Sequence, residues 1–199
     1  MLLQVQNRQG GMPVVQGTRE GFPIVQENYL EAIRNGNGFA VSDQAGGAMP
    51  AGLSTAPINV VLFNPKGNSK GAAILSAGLV SAVAPAAIAF IWVAVNNNVA
   101  AAAVTGTAGV PRNLAVGNGN APTVLTLTTA TLPAAPVAID VLGTLLTGAI
   151  TVQTQQAALY KWYGGSIVLL PGSALSFQAS AASAAAGVQG SWMWVEYDL

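Results

Sequence analysis

The chain has 199 residues, enough for about one domain, and its seven Lys and Arg residues balance seven Asp and Glu residues. Charged residues make up 7% of the chain, against roughly 25% in ordinary globular domains, while 52% of the residues are hydrophobic. This composition excludes an electrostatic nucleic-acid binder and a disordered chain, and the lack of His and Cys excludes disulfides, imidazole catalysis and most zinc sites.

The charges are unevenly distributed along the chain. Nine of the 14 lie in residues 1–70, and the 125 residues 71–195 hold only Arg112, Asp140 and Lys161. This predicts a polar N-terminal segment followed by an apolar body. A net charge of zero favours association, so we expect the body to self-associate, as a trimer. Residues 1–8 lack the apolar run of a signal peptide.

Residues 1–57 are predicted to form an extended N-terminal arm and linker that precedes a body of residues 58–199. The arm holds two similar segments, GMPVVQ at residues 11–16 and GFPIVQ at residues 21–26, which we call the upstream and downstream motifs. Proline favours extended backbone here, so each motif is a candidate docking strand for a partner surface. Coincidence in a Pro/Gly-rich linker is the alternative. The candidate docking residues are Pro13, Val14, Val15, Pro23, Ile24 and Val25.

A short helix is predicted within residues 27–36. Leu30 and Ile33 share one face at helical spacing, and Gly36 is a suitable C-terminal stop. Residues 37–57 contain Gly, Pro, Ser and Ala without a period and are interpreted as a linker.

From Ile58 onwards the pattern favours β-structure. Residues 58–63 end at the turn cluster 64–69, and residues 123–128 alternate, with Leu125 and Leu127 on one face. Short strands separated by Gly, Pro and Asn turns indicate an antiparallel sandwich or barrel. Residues 157–163 and 181–186 are compatible with either a short helix or a loop.

The end of the chain predicts further strands. Pro171-Gly172 suits a type II turn, so residues 166–170 and 173–179 are predicted to pair as a hairpin with Leu175 and Phe177 on one face. Residues 192–197 form the last predicted strand, with Trp192 and Trp194 on its buried face.

Residues 71–95 contain no charge and are long enough to span a bilayer, which makes a membrane helix the rival interpretation. Pro85 interrupts this run, and residues 88–95 are rich in β-branched and aromatic side chains. Two buried strands broken near Pro85 therefore account for the run, and no membrane partner is expected.

No constellation of side chains predicts an enzyme, a cofactor or a metal site. Glu196 and Asp198 share a face but are interpreted as a solvated chain end. Asp140 is expected either to pair with Arg112 or Lys161 or to face solvent. The aromatic cluster Tyr160–Tyr163 is a candidate sugar-stacking platform, although such clusters are more often core or interface.

Three parts of the body resemble a known family. Residues 62–65 end a strand before a small-residue turn with Ser69 and Lys70, residues 165–176 carry the GSIVLLPGSALS segment, and residues 194–196 read WVE. These features resemble small virion proteins of tailed bacteriophages, over about residues 58–199.

The resemblance implies an all-β, antiparallel, jelly-roll-like β-sandwich, here with the extended N-terminal arm. It also implies a non-enzymatic capsid decoration (cement) or minor head protein, assembled in the host cytoplasm and located on the capsid surface of the virion. The expected partners are the major capsid protein or another virion protein, further copies of the chain, and no nucleic acid. The alternative is a tail or fibre component that binds a receptor or carbohydrate.

Overall fold

The structure, a computed structural model, describes residues 28–43, 45–97, 104–146, 157–183 and 186–199. Within those ranges the protein is all-β, with a single helix, α1, at Asn28–Arg34. The strands are β1 Gly38–Ser42, β2 Ile58–Asn64, β3 Lys70–Ser81, β4 Ala89–Asn96, β5 Thr105–Ala108, β6 Arg112–Asn113, β7 Leu125–Thr131, β8 Val137–Leu145, β9 Ala157–Leu169, β10 Ser173–Ala179 and β11 Val188–Asp198.

The strands form two antiparallel sheets that pack face to face as a β-sandwich. Sheet 1 has the order β6-β1-β11-β3-β9, and sheet 2 has the order β5-β7-β2-β10-β4-β8. The predicted antiparallel sandwich is therefore confirmed. The predicted docking residues at positions 13–15 and 23–25 lie outside the described residues.

The core between the sheets is built from alternating apolar side chains of both sheets. The indole of Trp192 from sheet 1 stacks on the ring of Phe177 from sheet 2, with centroids 4.2 Å apart and an interplanar angle of 13°. Trp192 Nε1 also donates a hydrogen bond of 3.0 Å to the carbonyl oxygen of Val60. Trp194 is equally buried on the same face, as predicted.

Strand β2 is buried on both of its faces. Ile58 and Leu62 belong to the core between the sheets, whereas Val61 and Phe63 belong to a second, smaller cluster. The remaining members of that cluster are Val104, Leu127, Ala130, Leu132 and Ala174. A continuous apolar run such as that of β2 is typical of a strand covered on both sides.

The chain between residues 37 and 57 differs from the predicted linker. Gly38–Ser42 forms β1, which pairs with β11 and places Phe39 and Val41 in the core. The linker interpretation is wrong there because alternation in so short a strand has little statistical weight. The preceding helix is confirmed, and Gly36 follows it in a left-handed conformation, with φ at 77°.

The predicted hairpin around Pro171-Gly172 is wrong, although its turn and both strands exist. Strand β9 pairs with β3 in sheet 1, whereas β10 pairs with β2 and β4 in sheet 2. The turn therefore carries the chain from one sheet to the other. Leu175 and Phe177 lie in the core as expected, with Gly172 at a φ of 83°.

One other local prediction needs correction. Residues 157–163, considered a short helix or loop, belong to β9. In β7, Leu125 and Leu127 lie on one face as predicted, because they pair with Phe63 and Val61 of the second cluster. Leu127 is buried there, whereas Leu125 is 45% exposed.

The uncharged run at residues 71–95 consists of β3 and β4, separated around Pro85. The rival interpretation as a membrane helix is therefore wrong for this segment, and the two-strand interpretation is confirmed. No helix in the described part of the chain has the length and apolar character needed to cross a bilayer.

Asn59 marks an irregularity in β2. Its φ of 57° is left-handed, a conformation that Asn tolerates better than most residues with a side chain. The irregularity shifts the register between β10 and β2, where Leu175 faces Leu62 but Phe177 faces Ile58. The Asn59 amide donates a hydrogen bond of 2.7 Å to the carbonyl oxygen of Val188, which ties the two sheets together.

Candidate interaction sites

The aromatic cluster Tyr160–Tyr163 is divided by the pleat of β9. Successive side chains of a strand point to opposite faces, so Tyr160 and Trp162 lie on the outer face of sheet 1. Both are largely exposed, and Trp162 makes an edge-to-face contact with Tyr29 of α1 at 5.7 Å between centroids. Lys161 and Tyr163 instead point to the opposite sheet. Of the predicted sugar-stacking platform, only the rings of Tyr160 and Trp162 therefore lie on the outer surface.

Asp140 of β8 joins Lys161 and Tyr163 across the open side of the sandwich. The Lys161 Nζ lies 2.8 Å from an Asp140 carboxylate oxygen, and the Tyr163 hydroxyl donates to the carboxylate at 2.6 Å. Of the alternatives open from the sequence, pairing with Lys161 is confirmed. Because β8 and β9 are the edge strands of the two sheets, this cluster holds the two edges together.

The cluster shifts the pKa values of its members. Burial by itself raises the pKa of Asp140, but the hydrogen bonds from Lys161 and Tyr163 and the positive charge of Lys161 lower it by more. The pKa of Asp140 therefore lies below its ordinary value. Burial, followed by the hydrogen bond and the negative charge of Asp140, raises the pKa of the Tyr163 phenol above its ordinary range.

We expect Asp140→Asn to destabilise the protein by about 0.5–1 kcal/mol at pH 7, a small loss because Lys161 is partly exposed and solvent screens the pair. A lowered folded-state pKa gives stability that is present above the unfolded pKa of about 3.9 and is lost as the pH falls through the folded pKa. Urea unfolding of both proteins at pH 7 and pH 2 should show this difference shrink in acid. An equal difference at both pH values would contradict the assignment.

A groove of about 720 Å³ lies on the outer face of sheet 1. The register across β1, β11, β3 and β9 aligns the outward residues of this face in two rows, and each row ends at one of the outward aromatic residues. The first row is Ala40, Met193, Ser76 and Trp162, and the second is Ser42, Ser191, Gly78 and Tyr160. All of these residues except Gly78 and Trp162 line the groove. The floor is therefore made mainly of small side chains.

The walls of the groove come from distant parts of the chain. Tyr160, which is 64% exposed, lies on the β9 side, and residues 108–110 with Arg112 lie on the β1 side. Asp43 lines the groove as well, so one acidic and one basic side chain border it. The groove therefore combines an aromatic wall, hydroxyl groups and balanced charge, which suits a neutral, partly apolar ligand.

A second exposed surface follows β8 and the adjoining end of β4. Phe90, Val137, Ile139 and Val141 are each about half exposed or more, and we call these four residues the β8 patch. Edge strands usually carry outward charges that prevent pairing with other chains. The single charge of β8, Asp140, is turned to Lys161 instead. The β8 patch therefore lacks that protection.

Glu196 is not part of a solvated chain end, as the sequence indicated, but is 1% exposed. Its carboxylate accepts hydrogen bonds from the backbone N–H groups of Thr123 and Val124, from the Thr123 hydroxyl and from Trp194 Nε1. The prediction was wrong because a segment some 70 residues away covers the carboxylate. With its acceptors engaged in holding that segment, Glu196 serves a structural role. Asp198 on the same strand is exposed.

Several contributors to these surfaces were not found from the sequence. Ser42, Asp43 and Arg112 border the groove from β1, the following loop and β6, and no local motif connects them. The alternation of Phe39 and Val41 was the available signal for β1. In the described ranges, no group of three acidic, His or Cys side chains is arranged to hold a metal ion.

Comparison of the chain with protein-family models, with curated protein sequences and with solved structures finds no match.

Proposed function

We propose that this protein is a non-enzymatic structural protein of a phage virion, a decoration or cement protein that binds and stabilises the head shell. In this proposal the N-terminal arm attaches the protein to the major capsid protein, and the β-sandwich associates with further copies of itself. The β8 patch carries the proposal, because an exposed apolar strand at a sheet edge is a surface for another protein chain.

The strand order supports a jelly roll as the finer description of the sandwich. If β5, β6 and β7 are taken as an insertion, the sheets reduce to β1-β11-β3-β9 and β2-β10-β4-β8. Strands that follow one another in sequence then alternate between the sheets, except where β4 is followed by β8. Two four-stranded sheets connected in this way are the arrangement of jelly rolls, a fold found in viral capsid domains.

Self-association is tested by a charge placed in the β8 patch. Wild-type protein is expected to sediment at about three times the mass of one chain, whereas Ile139→Lys should sediment as a monomer because a buried lysine without a partner is strongly unfavourable. Val116→Lys is the matched control, since Val116 is 98% exposed and lies outside the patch. A wild-type monomer at micromolar concentration, or a trimer that tolerates Ile139→Lys, would contradict this part of the proposal.

Attachment to the shell is tested on full-length protein with an altered arm. Replacement of Val14, Val15, Ile24 and Val25 by Asp should lower the occupancy on purified capsids by about tenfold or more, because apolar docking residues would become charged. The control variant carries Asp in place of Gln4, Gln6, Asn7 and Gln9. It adds the same negative charge outside the motifs and should leave the occupancy unchanged. Cosedimentation with the particles measures both, and equal occupancy for the two variants would refute a docking role of the motifs.

A tail or fibre protein that binds a receptor or carbohydrate is the second candidate, favoured by the exposed Tyr160 in the groove wall. Purified virions separate the two candidates, since antibodies against the protein should label heads in the first case and tails in the second.

A further inference from the structure

The groove on sheet 1 has the dimensions and chemistry of a site for an extended peptide. It crosses four strands, about 14 Å from β1 to β9, and continues to the wall at residues 108–110. Six residues in polyproline conformation span about 19 Å. Tyr160 lines one end of the groove, and Trp162 lies next to it on the same face of β9. Aromatic side chains form the docking surface in known proline-recognition grooves.

Helix α1 begins close to this groove. Tyr29, in the first turn of α1, contacts Trp162, which pairs with the groove residue Ser76 and lies two residues from the groove residue Tyr160. Helix α1 also packs against β1 and β11, which carry Ala40 and Met193 of the same row. The 27 residues that precede α1 in the sequence include the two proline-containing motifs.

The two motifs differ in the length of chain that connects them to α1, and this length limits which groove each motif can reach. Each chain has two motifs for the groove on sheet 1, and only Glu27 and Asn28 separate the downstream motif from Tyr29. The upstream motif ends thirteen residues before Tyr29, a span of up to about 43–47 Å. A compact domain of this length is roughly 40 Å across. The chain between the upstream motif and Tyr29 can exceed this distance, so the upstream motif, unlike the downstream motif, can reach the groove of a neighbouring copy.

We propose that the groove on sheet 1 binds the upstream motif, residues 11–16, of a second copy of this chain. Pro13 packs against Tyr160 and Trp162, and Val14 and Val15 lie over the small residues of the floor. The motif carries no charge, which matches a groove bordered by one acid and one base. This inference rests on the proposed self-association and assigns it a second contact, separate from the β8 patch. It leaves the downstream motif, residues 21–26, as the part of the arm that binds the capsid.

The natural absence of cysteine allows a direct test by disulfide trapping in full-length protein. One preparation carries Val14→Cys and a second, tagged preparation carries Ser42→Cys, an exposed position of the groove. A disulfide needs Cα atoms within about 7 Å, so it forms efficiently only if the motif occupies the groove. Ser69→Cys, exposed in the turn before β3, replaces Ser42→Cys in the control mixture.

We expect the mixed dimer to form at least about tenfold faster with Ser42→Cys than with Ser69→Cys, because docking raises the local thiol concentration. Equal rates, or no mixed dimer, would overturn the inference. An intrachain disulfide in a Val14→Cys/Ser42→Cys double variant, without dimer, would assign the groove to the same chain and would also overturn it. Sedimentation and capsid binding of the wild type are measured separately, so failure of trapping alone leaves the proposed function standing.

Discussion

Glu196→Ala is expected to lower the free energy of unfolding by about 3–4 kcal/mol, a large share of the stability of a domain of this size. The substitution removes the acceptor of two backbone N–H groups, of the Thr123 hydroxyl and of Trp194 Nε1. The N–H of Val124 and the Trp194 Nε1 would stay buried without a partner, whereas Thr123 is exposed and its donors can reach water. Urea unfolding at neutral pH, followed by tryptophan fluorescence, measures the loss.

Two further variants show that the loss comes from the buried carboxylate. Asp198→Ala removes an exposed carboxylate two residues along the same strand and should change the stability by less than about 0.5 kcal/mol. Glu196→Gln preserves the side-chain shape but turns an amide N–H₂ towards the donors, so an intermediate loss is expected. Equal stability of Glu196→Ala and Asp198→Ala would contradict the structural role of Glu196.

Trp192→Ala should have an effect of about 4–5 kcal/mol, at the upper end of the range for large-to-small core substitutions. It removes the stacked partner of Phe177, leaves a cavity between the two sheets and frees the carbonyl oxygen of Val60. The melting temperature should therefore fall by about 10–20 °C. Differential scanning calorimetry measures the change in melting temperature, and urea titration measures the loss in the free energy of unfolding.

The exposed Trp162 provides the matched control for this prediction. Trp162→Ala removes the same side chain from the outer face of the same sheet, where it is 47% exposed, and should cost less than about 1 kcal/mol. Trp192→Phe keeps an aromatic ring against Phe177 but loses the hydrogen bond to Val60, so a loss of about 1–2 kcal/mol is expected. A Trp162→Ala variant as unstable as Trp192→Ala would show that the core assignment is wrong.

Local patterns in the sequence predicted the β class, most strands and the faces that they bury. Alternation placed Trp192 and Trp194, and Leu175 and Phe177, on buried faces, because the period of a strand is a property of its own residues. The pairing of a strand, in contrast, depends on residues elsewhere in the chain. The turn at Pro171-Gly172 suits a hairpin equally well when its two arms belong to different sheets, and nothing within residues 166–179 distinguishes these cases.

The candidate interaction sites were less predictable for the same reason. The Tyr160–Tyr163 cluster was visible, but its division into an outward pair and an inward pair follows from the pleat of β9, whose first part, residues 157–163, was not recognised as strand. Glu196 is polar and near the chain end, and only the distant residues 123–124 make it a buried anchor. The groove joins Ser42, Arg112 and Tyr160, whose proximity depends on the register of sheet 1.

The pairing of β1 with β11 determines when this protein can fold during synthesis. Gly38–Ser42 pairs with residues 191–195, so β1 lacks its neighbour towards the centre of sheet 1 until β11 has been made. Connections that pass from sheet to sheet add further contacts between distant residues, and such topologies fold slowly. A ribosome-bound chain therefore exposes the apolar faces of β2, β3 and β4 until β11 has been made, and chaperone binding during that interval would protect it from aggregation.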